Sequence, residues 1–141
     1  MKKVLCVCTA NRGRSPMLEG TFREELRNRE RSDVMVESAG ILERTVGMPA
    51  CDPGIDCMKE VGVDISGHKA RHISSLDLDH DLFVCVEQNH ADELVKAGVD
   101  ASKTRVLHLP DPHPSTDPVL YRQTREVIEK EVQRILDTDL S

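Results

Sequence analysis

The sequence predicts an α/β fold, in which a four-stranded parallel sheet carries helices on both of its faces in a Rossmann-like arrangement. Short apolar runs with the character of buried strands alternate along the chain with longer stretches of helical periodicity. This alternation is typical of parallel sheets, because a crossover helix returns the chain between two parallel strands. No linker, repeat or low-complexity tract interrupts it, so residues 1–141 are expected to form one domain.

The individual elements follow from the pattern of apolar residues and from the turn-forming residues between them. Continuous apolar runs bounded by turn signals predict strands at 3–8, 33–38, 82–86 and 104–108. Helical spacing predicts helices at 16–28, 52–62, 87–97 and 118–137, with a less regular segment at 66–78. The last helix has a clear start, because Asp117 suits the N-cap and Pro118 the first turn. Its buried face is expected to include Leu120, Val127, Ile128 and Leu136.

The junction between the first strand and the first helix is the most informative stretch of the chain. Residues 8–16 read CTANRGRSP, so a cysteine ends the strand, a loop of small and polar residues follows, and a helix begins. Pro16 fits the first helical turn, where its missing N–H costs nothing, and Ser15 suits the preceding N-cap position. One apolar face of this helix is expected at Leu18, Phe22 and Leu26.

The same junction predicts a site for nucleophilic attack by Cys8 on a bound tetrahedral oxyanion. The loop would lie over a helix N-terminus, where free backbone N–H groups and the helix dipole attract an anion. The dipole, the loop amides and Arg14 all favour the thiolate of Cys8, and the thiolate is the nucleophile. Arg14 also offers a planar fork that can bind two oxygens of a phosphoryl group. An ordinary turn with a buried structural cysteine is the alternative, but it needs neither this arginine nor this helix.

A proton donor for the leaving oxygen is the second chemical requirement of such a reaction. Two Asp-Pro pairs compete for this role, at Asp111 and Asp117. Asp117 is already explained as the N-cap of the last helix, whereas Asp111 has no such explanation. Asp111 is therefore the candidate general acid in the first step and general base in the second. A simple turn before proline is the alternative for this residue.

Composition argues against several other functional classes. The net charge is −6 and charges of both signs are interspersed, which argues against a general role on nucleic acids or membrane surfaces. No stretch approaches the roughly 20 apolar residues of a membrane span, and the first residues turn polar too soon for a signal peptide. The protein is therefore expected in the cytoplasm with reduced thiols. One set of residues could suggest a zinc site but lacks zinc-finger spacing, namely Cys51, Cys57, His68 and His72.

Several spaced motifs together resemble the low-molecular-weight protein tyrosine phosphatases over nearly the whole chain. The loop CTANRGRSP is similar to the family's signature loop, and LPDP at 109–112 resembles its aspartate-proline loop. Three further segments resemble family motifs, namely VESAG at 36–40, GVDISGHKAR at 62–71 and DLFVCVE at 81–87. The resemblance implies the phosphatase I type of Rossmann-like fold and hydrolysis of phosphomonoesters, foremost phosphotyrosine in proteins.

The resemblance also implies a role for each site residue. Cys8, Arg14 and Asp111 would be catalytic, and Cys8 would form a phosphocysteine intermediate. Ser38 and His68 match the family positions that hydrogen-bond Asn11, and Ser15 could donate its hydroxyl to the Cys8 sulfur. No metal or cofactor is implied, and the partner would be a phosphorylated protein acted on by a monomer. The phosphate-binding loop and its supports would be Thr9, Ala10, Asn11, Arg12, Gly13, Ser15, Ser38 and His68.

The chain departs from the family pattern at several pocket positions. Gly13 stands where a second cysteine is common, Ala10 replaces a frequent glycine, and Arg12 replaces a small or apolar residue. Arg44 and His113 stand near positions where aromatic walls are common, so recognition of a phenyl ring is expected to be weaker.

These departures leave three alternatives to a tyrosine phosphatase open. The first is a phosphoarginine phosphatase, for which the nearby arginines would be electrostatically unfavourable. The second is a thioredoxin-coupled arsenate reductase, which would need two relay cysteines after the third strand, whereas Cys85 lies within that strand and no cysteine follows it. The third is a module that binds a phosphorylated ligand without turnover, whose expected loss of catalytic residues is not observed.

Overall fold

The computed structural model describes residues 1–141 and contains four strands that alternate with four helices. The strands are β1 (Lys2–Cys8), β2 (Val34–Gly40), β3 (Leu82–Cys85) and β4 (Thr104–Val106). The helices are α1 (Arg14–Asn28), α2 (Asp52–Lys59), α3 (Gln88–Lys96) and α4 (Pro118–Asp137). Single 3-10 turns lie at Ile73–Ser75 and Ala101–Lys103, the first of them inside the segment predicted to be less regular. None of the four helices combines the length and the apolar character that crossing a bilayer requires.

All strands are parallel and form one sheet in the order β2-β1-β3-β4, which confirms the predicted fold class. Strand β1 is central, so Val4 pairs with Val36 on one side and with Leu82 on the other. The carboxyl ends of all four strands meet at one edge of the sheet, and ligands of open α/β sheets bind beyond that edge. The loop that follows Cys8 lies there.

Two apolar layers cover the faces of the sheet. Side chains alternate along β1, so Cys6 and Cys8 belong to the larger core with α1, α2 and α4, whereas Leu5 and Val7 belong to the smaller core with α3. Both layers exclude solvent from the sheet, because the β1 side chains from Val4 to Val7 are all fully buried. The loop after Cys8 thus extends from a strand whose last five residues are all buried.

Helix α1 begins two residues before its predicted start, and Ser15 is not its N-cap. The helix runs from Arg14, Gly13 occupies the N-cap position, and no side chain caps the first turn. The prediction was wrong because the hydroxyl of Ser15 is used elsewhere, in contacts with Cys8 and Asn11. The predicted apolar face is confirmed, since all three of its residues are buried, namely Leu18, Phe22 and Leu26.

Helix α4 begins as predicted but its buried face is rotated. Asp117 Oδ1 accepts a hydrogen bond from the Val119 N–H at 2.9 Å, so the N-cap is confirmed. Leu120 and Val127, however, are 37% and 43% exposed. The prediction followed apolar residues only, whereas the true stripe includes a tyrosine and a threonine, and its members are Tyr121, Thr124, Ile128, Val132, Ile135 and Leu136.

Candidate active site

The loop between β1 and α1 turns its carbonyl groups outward and leaves its N–H groups free. No backbone N–H from Thr9 to Ser15 donates a hydrogen bond to another protein group. The free N–H groups together with the N-terminus of α1 form a concave site suited to a phosphoryl group. The carbonyls, in contrast, accept from outside the loop: Thr9 from the N–H groups of Ile41 and Leu42, Ala10 from Thr45 Oγ1, Asn11 from His68, and Arg12 from the Cys51 N–H.

Asn11 is the structural centre of the loop. Its backbone adopts a left-handed conformation with φ of 56°, which asparagine tolerates better than most residues, and its side chain is fully buried. Its amide nitrogen donates to Ser15 Oγ at 2.8 Å and to Ser38 Oγ at 3.0 Å, while its amide oxygen accepts from the Arg71 N–H at 2.8 Å. His68 Nε2 lies 2.7 Å from the Asn11 carbonyl. Both contacts on Asn11 that the resemblance implies are present.

The thiol of Cys8 lies at the base of this loop and is 2% exposed. Its sulfur is 2.9 Å from Ser15 Oγ. Because the oxygen of Ser15 already accepts a hydrogen bond from Asn11, the hydroxyl hydrogen of Ser15 is free to point at the sulfur. Ser15 can therefore stabilise a thiolate on Cys8.

The guanidinium group of Arg14 is 3% exposed and held by acceptors on other elements. Nη1 donates to Glu87 Oε2 at 2.9 Å and to the Leu109 carbonyl at 2.6 Å, and Nη2 lies 3.5 Å from Asp111 Oδ2. The side chain is thus fixed beside the loop, with Nε engaged by no protein acceptor.

Asp111 lies in the loop after β4 and lines the same pocket as Arg14. Its Oδ1 accepts the His113 N–H at 3.0 Å, which fixes the carboxyl group in a turn, and its Oδ2 faces Arg14. The side chain is 46% exposed, so water and substrate can reach it. Asp111 thus makes the turn that was the alternative for this residue and also lines the same pocket as Cys8.

These groups line one pocket of about 290 Å³. Tyr121 forms a wall, with its hydroxyl 3.9 Å from the sulfur of Cys51, and burial raises the pKa of this tyrosine. Arg12 also lines the pocket, and its Nε donates to the Pro49 carbonyl at 2.8 Å. The remaining lining residues include the expected departures from aromatic walls, and they are Thr9, Ala10, Gly13, Leu42, Arg44, Thr45, Pro112 and His113.

Sequence reasoning missed two residues at the start of helix α3 that touch the site, its N-cap Glu87 and its third residue, His90. Glu87 holds Arg14, and the fully buried His90 reaches Thr9, with Nε2 2.9 Å from Thr9 Oγ1. The two also close a reciprocal capping box at the start of α3. A glutamate three residues before a histidine, directly after a buried strand, indicates the capping box but not the contacts with Arg14 and Thr9.

The cysteines and histidines outside the loop do not gather around a common point. No group of three or more His, Cys, Asp or Glu side chains is arranged to hold a metal ion. Cys57 lies in the core, His68 contacts the loop carbonyl of Asn11, and His72 caps a 3-10 turn through Ser74.

Comparison with known proteins agrees with this geometry. The family model of the low molecular weight phosphotyrosine protein phosphatases matches residues 3–140. Low molecular weight protein-tyrosine phosphatase A of Mycobacterium tuberculosis is 37% identical over 114 residues, which cover 80% of this chain and 69% of that protein.

Two solved structures superpose closely on the chain. A low molecular weight protein tyrosine phosphatase from T. tengcongensis has a TM-score of 0.89 at 28% identity, with 97% of this chain and 99% of that chain covered. Wzb of Vibrio vulnificus, solved in complex with benzylphosphonate, has a TM-score of 0.84 at 28% identity over 96% and 97% of the two chains. Since the family model spans nearly all of the sequence and the fold and loop agree with it, the chain belongs to the low-molecular-weight protein tyrosine phosphatases, a family of cysteine-based phosphatases.

Proposed function

We propose that this protein hydrolyses phosphotyrosine in phosphorylated proteins through a phosphocysteine intermediate on Cys8. The observation that carries the proposal is the convergence of the Cys8 sulfur, the free loop N–H groups and the Arg14 guanidinium on one small pocket. A tetrahedral dianion is the ligand that this combination of donors and charge fits best.

In the first step, the Cys8 thiolate attacks phosphorus in line with the bond to the leaving oxygen. The loop N–H groups and Arg14 hold the three equatorial oxygens, where charge is spread in the transition state. Asp111 gives its proton to the departing phenolic oxygen as the phosphorus–oxygen bond breaks and the phosphorus–sulfur bond forms.

In the second step, the Asp111 carboxylate takes a proton from water, and that water attacks the phosphocysteine. The phosphorus–sulfur bond breaks, inorganic phosphate is released, and the departing thiolate is stabilised by the Ser15 hydroxyl 2.9 Å away. The fixed positions of Cys8 and Arg14 mean that little reorganisation accompanies either step.

The choice of tyrosine over other phosphorylated residues rests on the pocket walls. Wzb, whose structure is similar, was solved with benzylphosphonate, an aryl ring carried one carbon away from phosphorus. Here Tyr121 and Leu42 supply the apolar part of the wall, whereas Arg12 and Arg44 add positive charge. Positive charge at the mouth disfavours the guanidinium of phosphoarginine, so we infer a preference for phosphotyrosine.

The arsenate reductase alternative finds no support in Cys85, the thiol of the third strand. Cys85 lies inside β3, fully buried, and burial raises its pKa to about 12, so it is a poor relay thiol. We further propose that the enzyme acts as a monomer in the cytoplasm, since an intracellular location would keep Cys8 reduced.

The test is hydrolysis of para-nitrophenyl phosphate in EDTA by the wild type and by Cys8→Ser, from mildly acidic to neutral pH. We expect turnover in the wild type and none above background in Cys8→Ser, because a hydroxyl at that position is not ionised. Cys57→Ala is the matched control, because this thiol is buried outside the pocket.

The substrate claim needs a second comparison, of phosphotyrosine, phosphoarginine and phosphoserine peptides. We expect the highest kcat/KM with phosphotyrosine. A folded, reduced wild type without turnover that still binds phosphopeptide would contradict the enzymatic proposal. Arsenate-dependent oxidation of NADPH with thioredoxin and its reductase would favour the reductase instead.

A further inference from the structure

His90 is a fully buried histidine that joins helix α3 to the catalytic loop. Its ring makes two hydrogen bonds, one from each nitrogen. Nδ1 lies 3.1 Å from the backbone nitrogen of Glu87, at the start of the helix, and Nε2 lies 2.9 Å from Thr9 Oγ1, one residue after the nucleophile. The phosphatase mechanism above uses neither His90 nor the Thr9 hydroxyl.

The partner of each nitrogen determines the tautomer. The backbone N–H of Glu87 can only donate, so Nδ1 must accept and carries no hydrogen. The proton of the neutral ring is therefore on Nε2, which donates to Thr9 Oγ1. Had Thr9 donated to Nε2 instead, the ring proton would have faced the N–H of Glu87.

The direction of this bond leaves the hydroxyl hydrogen of Thr9 free. Thr9 Oγ1 has no other hydrogen-bond partner in the protein, and Thr9 lines the same pocket as Cys8 and Arg14. We propose that His90 is a positioning residue that orients the Thr9 hydroxyl as an additional donor to the phosphoryl group in the loop. This inference rests on the proposed phosphatase activity.

The charges around His90 are consistent with a ring that stays neutral during turnover. Burial lowers the pKa of His90 to about 4, and the Arg14 guanidinium contributes in the same direction. Glu87 and Asp111 act in the opposite direction but do not outweigh burial. A neutral ring keeps Nδ1 as an acceptor, so the orientation of Thr9 persists at the pH of the assay.

Two replacements of His90 separate its two contacts. Asn places an acceptor near the position of Nδ1 and can retain the bond from the Glu87 N–H, but it is too short to reach Thr9. Gln places an amide nitrogen near the position of Nε2 and can retain the bond to Thr9, but it loses the helix cap. We expect His90→Asn to lower kcat roughly 10- to 100-fold, and His90→Gln to remain within a few-fold of the wild type.

A purely structural role for His90 predicts the opposite order. In that case activity would follow stability, and His90→Gln, which loses the cap, would be the more impaired enzyme. Unfolding midpoints in urea for both variants, measured beside kcat and KM, distinguish these outcomes. Activity that ranks with stability would overturn the proposal.

Thr9→Val tests the donor itself, because valine keeps the shape of threonine and removes the hydroxyl. We expect the same loss of kcat, weaker inhibition by inorganic phosphate, and recovery in Thr9→Ser. In the Thr9→Val background, His90→Asn should cause little further loss, since both changes remove one interaction. Additive losses, or an unchanged Thr9→Val, would refute the role of Thr9. An inactive wild type would instead refute the proposed function.

Discussion

Arg14 is held before any substrate arrives. Its guanidinium group is bonded to Glu87 and to the Leu109 carbonyl, and it is almost completely buried. A long side chain usually loses considerable freedom when it binds a ligand, but here folding has already fixed it. Two negatively charged partners, Glu87 and Asp111, balance the positive charge of the buried guanidinium group. In the proposed mechanism, Arg14 would therefore bind the phosphoryl group with little reorganisation in the transition state.

The assignment of Asp111 as the general acid predicts a dependence on the leaving group. In Asp111→Asn, the amide oxygen can still accept the His113 N–H, so the turn is retained while the transferable proton is lost. We expect turnover of phenyl phosphate to fall by about 10²- to 10⁴-fold, and turnover of para-nitrophenyl phosphate to fall much less, because its leaving group needs little protonation. Steady-state kcat for both substrates is the measurement.

The other Asp-Pro pair provides the matched control for this experiment. Asp117→Asn should preserve the N-cap of α4, since asparagine caps as well as aspartate, and should leave both rates unchanged. Equal slowing of the two substrates by Asp111→Asn would remove that residue from proton transfer.

At the scale of elements, the end of strand β2 supports the catalytic loop by close approach. Gly40 lies against the loop so tightly that a Cβ atom there would be 2.6 Å from the Thr9 carbonyl oxygen and 3.0 Å from the Asn11 nitrogen. Both contacts are with backbone, which cannot rotate away. Glycine is thus required at this position by the packing of β2 on the loop.

Gly40→Ala is therefore expected to disturb the site through the backbone. We predict a loss of about 1–3 kcal/mol in the free energy of unfolding and a clearly weaker inhibition by inorganic phosphate, because the loop N–H groups shift. Urea denaturation and phosphate inhibition constants measure the two effects. Gly67→Ala is the control, since no atom lies within 4 Å of its added Cβ. Wild-type values for both quantities in Gly40→Ala would contradict the packing argument.

The elements also show how far the sequence could predict the site. Strand β1, the loop and helix α1 were predictable because a buried run, a cysteine, an arginine and a proline follow one another within 16 residues. The N-cap of α1 could not be predicted, because a serine such as Ser15 can either cap a helix or donate to a sulfur. Only the position of Cys8 decides between these two roles. The roles of Glu87 and His90 could not be predicted either, since their contacts with Arg14 and Thr9 join residues more than 70 positions apart.

At the scale of the whole molecule, the parallel sheet brings these distant residues to one edge. Cys8 ends β1, Glu87 follows β3 and Asp111 lies in the loop after β4, so the carboxyl ends of three strands each supply one group. The fold class was predictable from the alternation of strand and helix. The rotation of the buried face of α4 could not be predicted, because that face is defined by contact with α1 and α2. It also includes polar residues such as Thr124.

Because His90 is buried beneath this edge, its titration connects the site to global stability. Its folded pKa of about 4 is lower than the ordinary value of 6.5, so between these values the unfolded chain binds more protons than the native protein. The contribution of His90 to the free energy of unfolding is complete above about pH 6.5 and is lost as the pH falls toward 4, with a span on the order of 3 kcal/mol.

We expect the unfolding free energy of the wild type to rise more steeply from pH 4.5 to 7 than that of His90→Gln, which carries no titrating ring. Urea denaturation of both proteins at these pH values measures the difference, in which the other titrating groups cancel. Parallel curves would mean that His90 titrates in the native state with its ordinary pKa, so burial would not keep its ring neutral in the mildly acidic range.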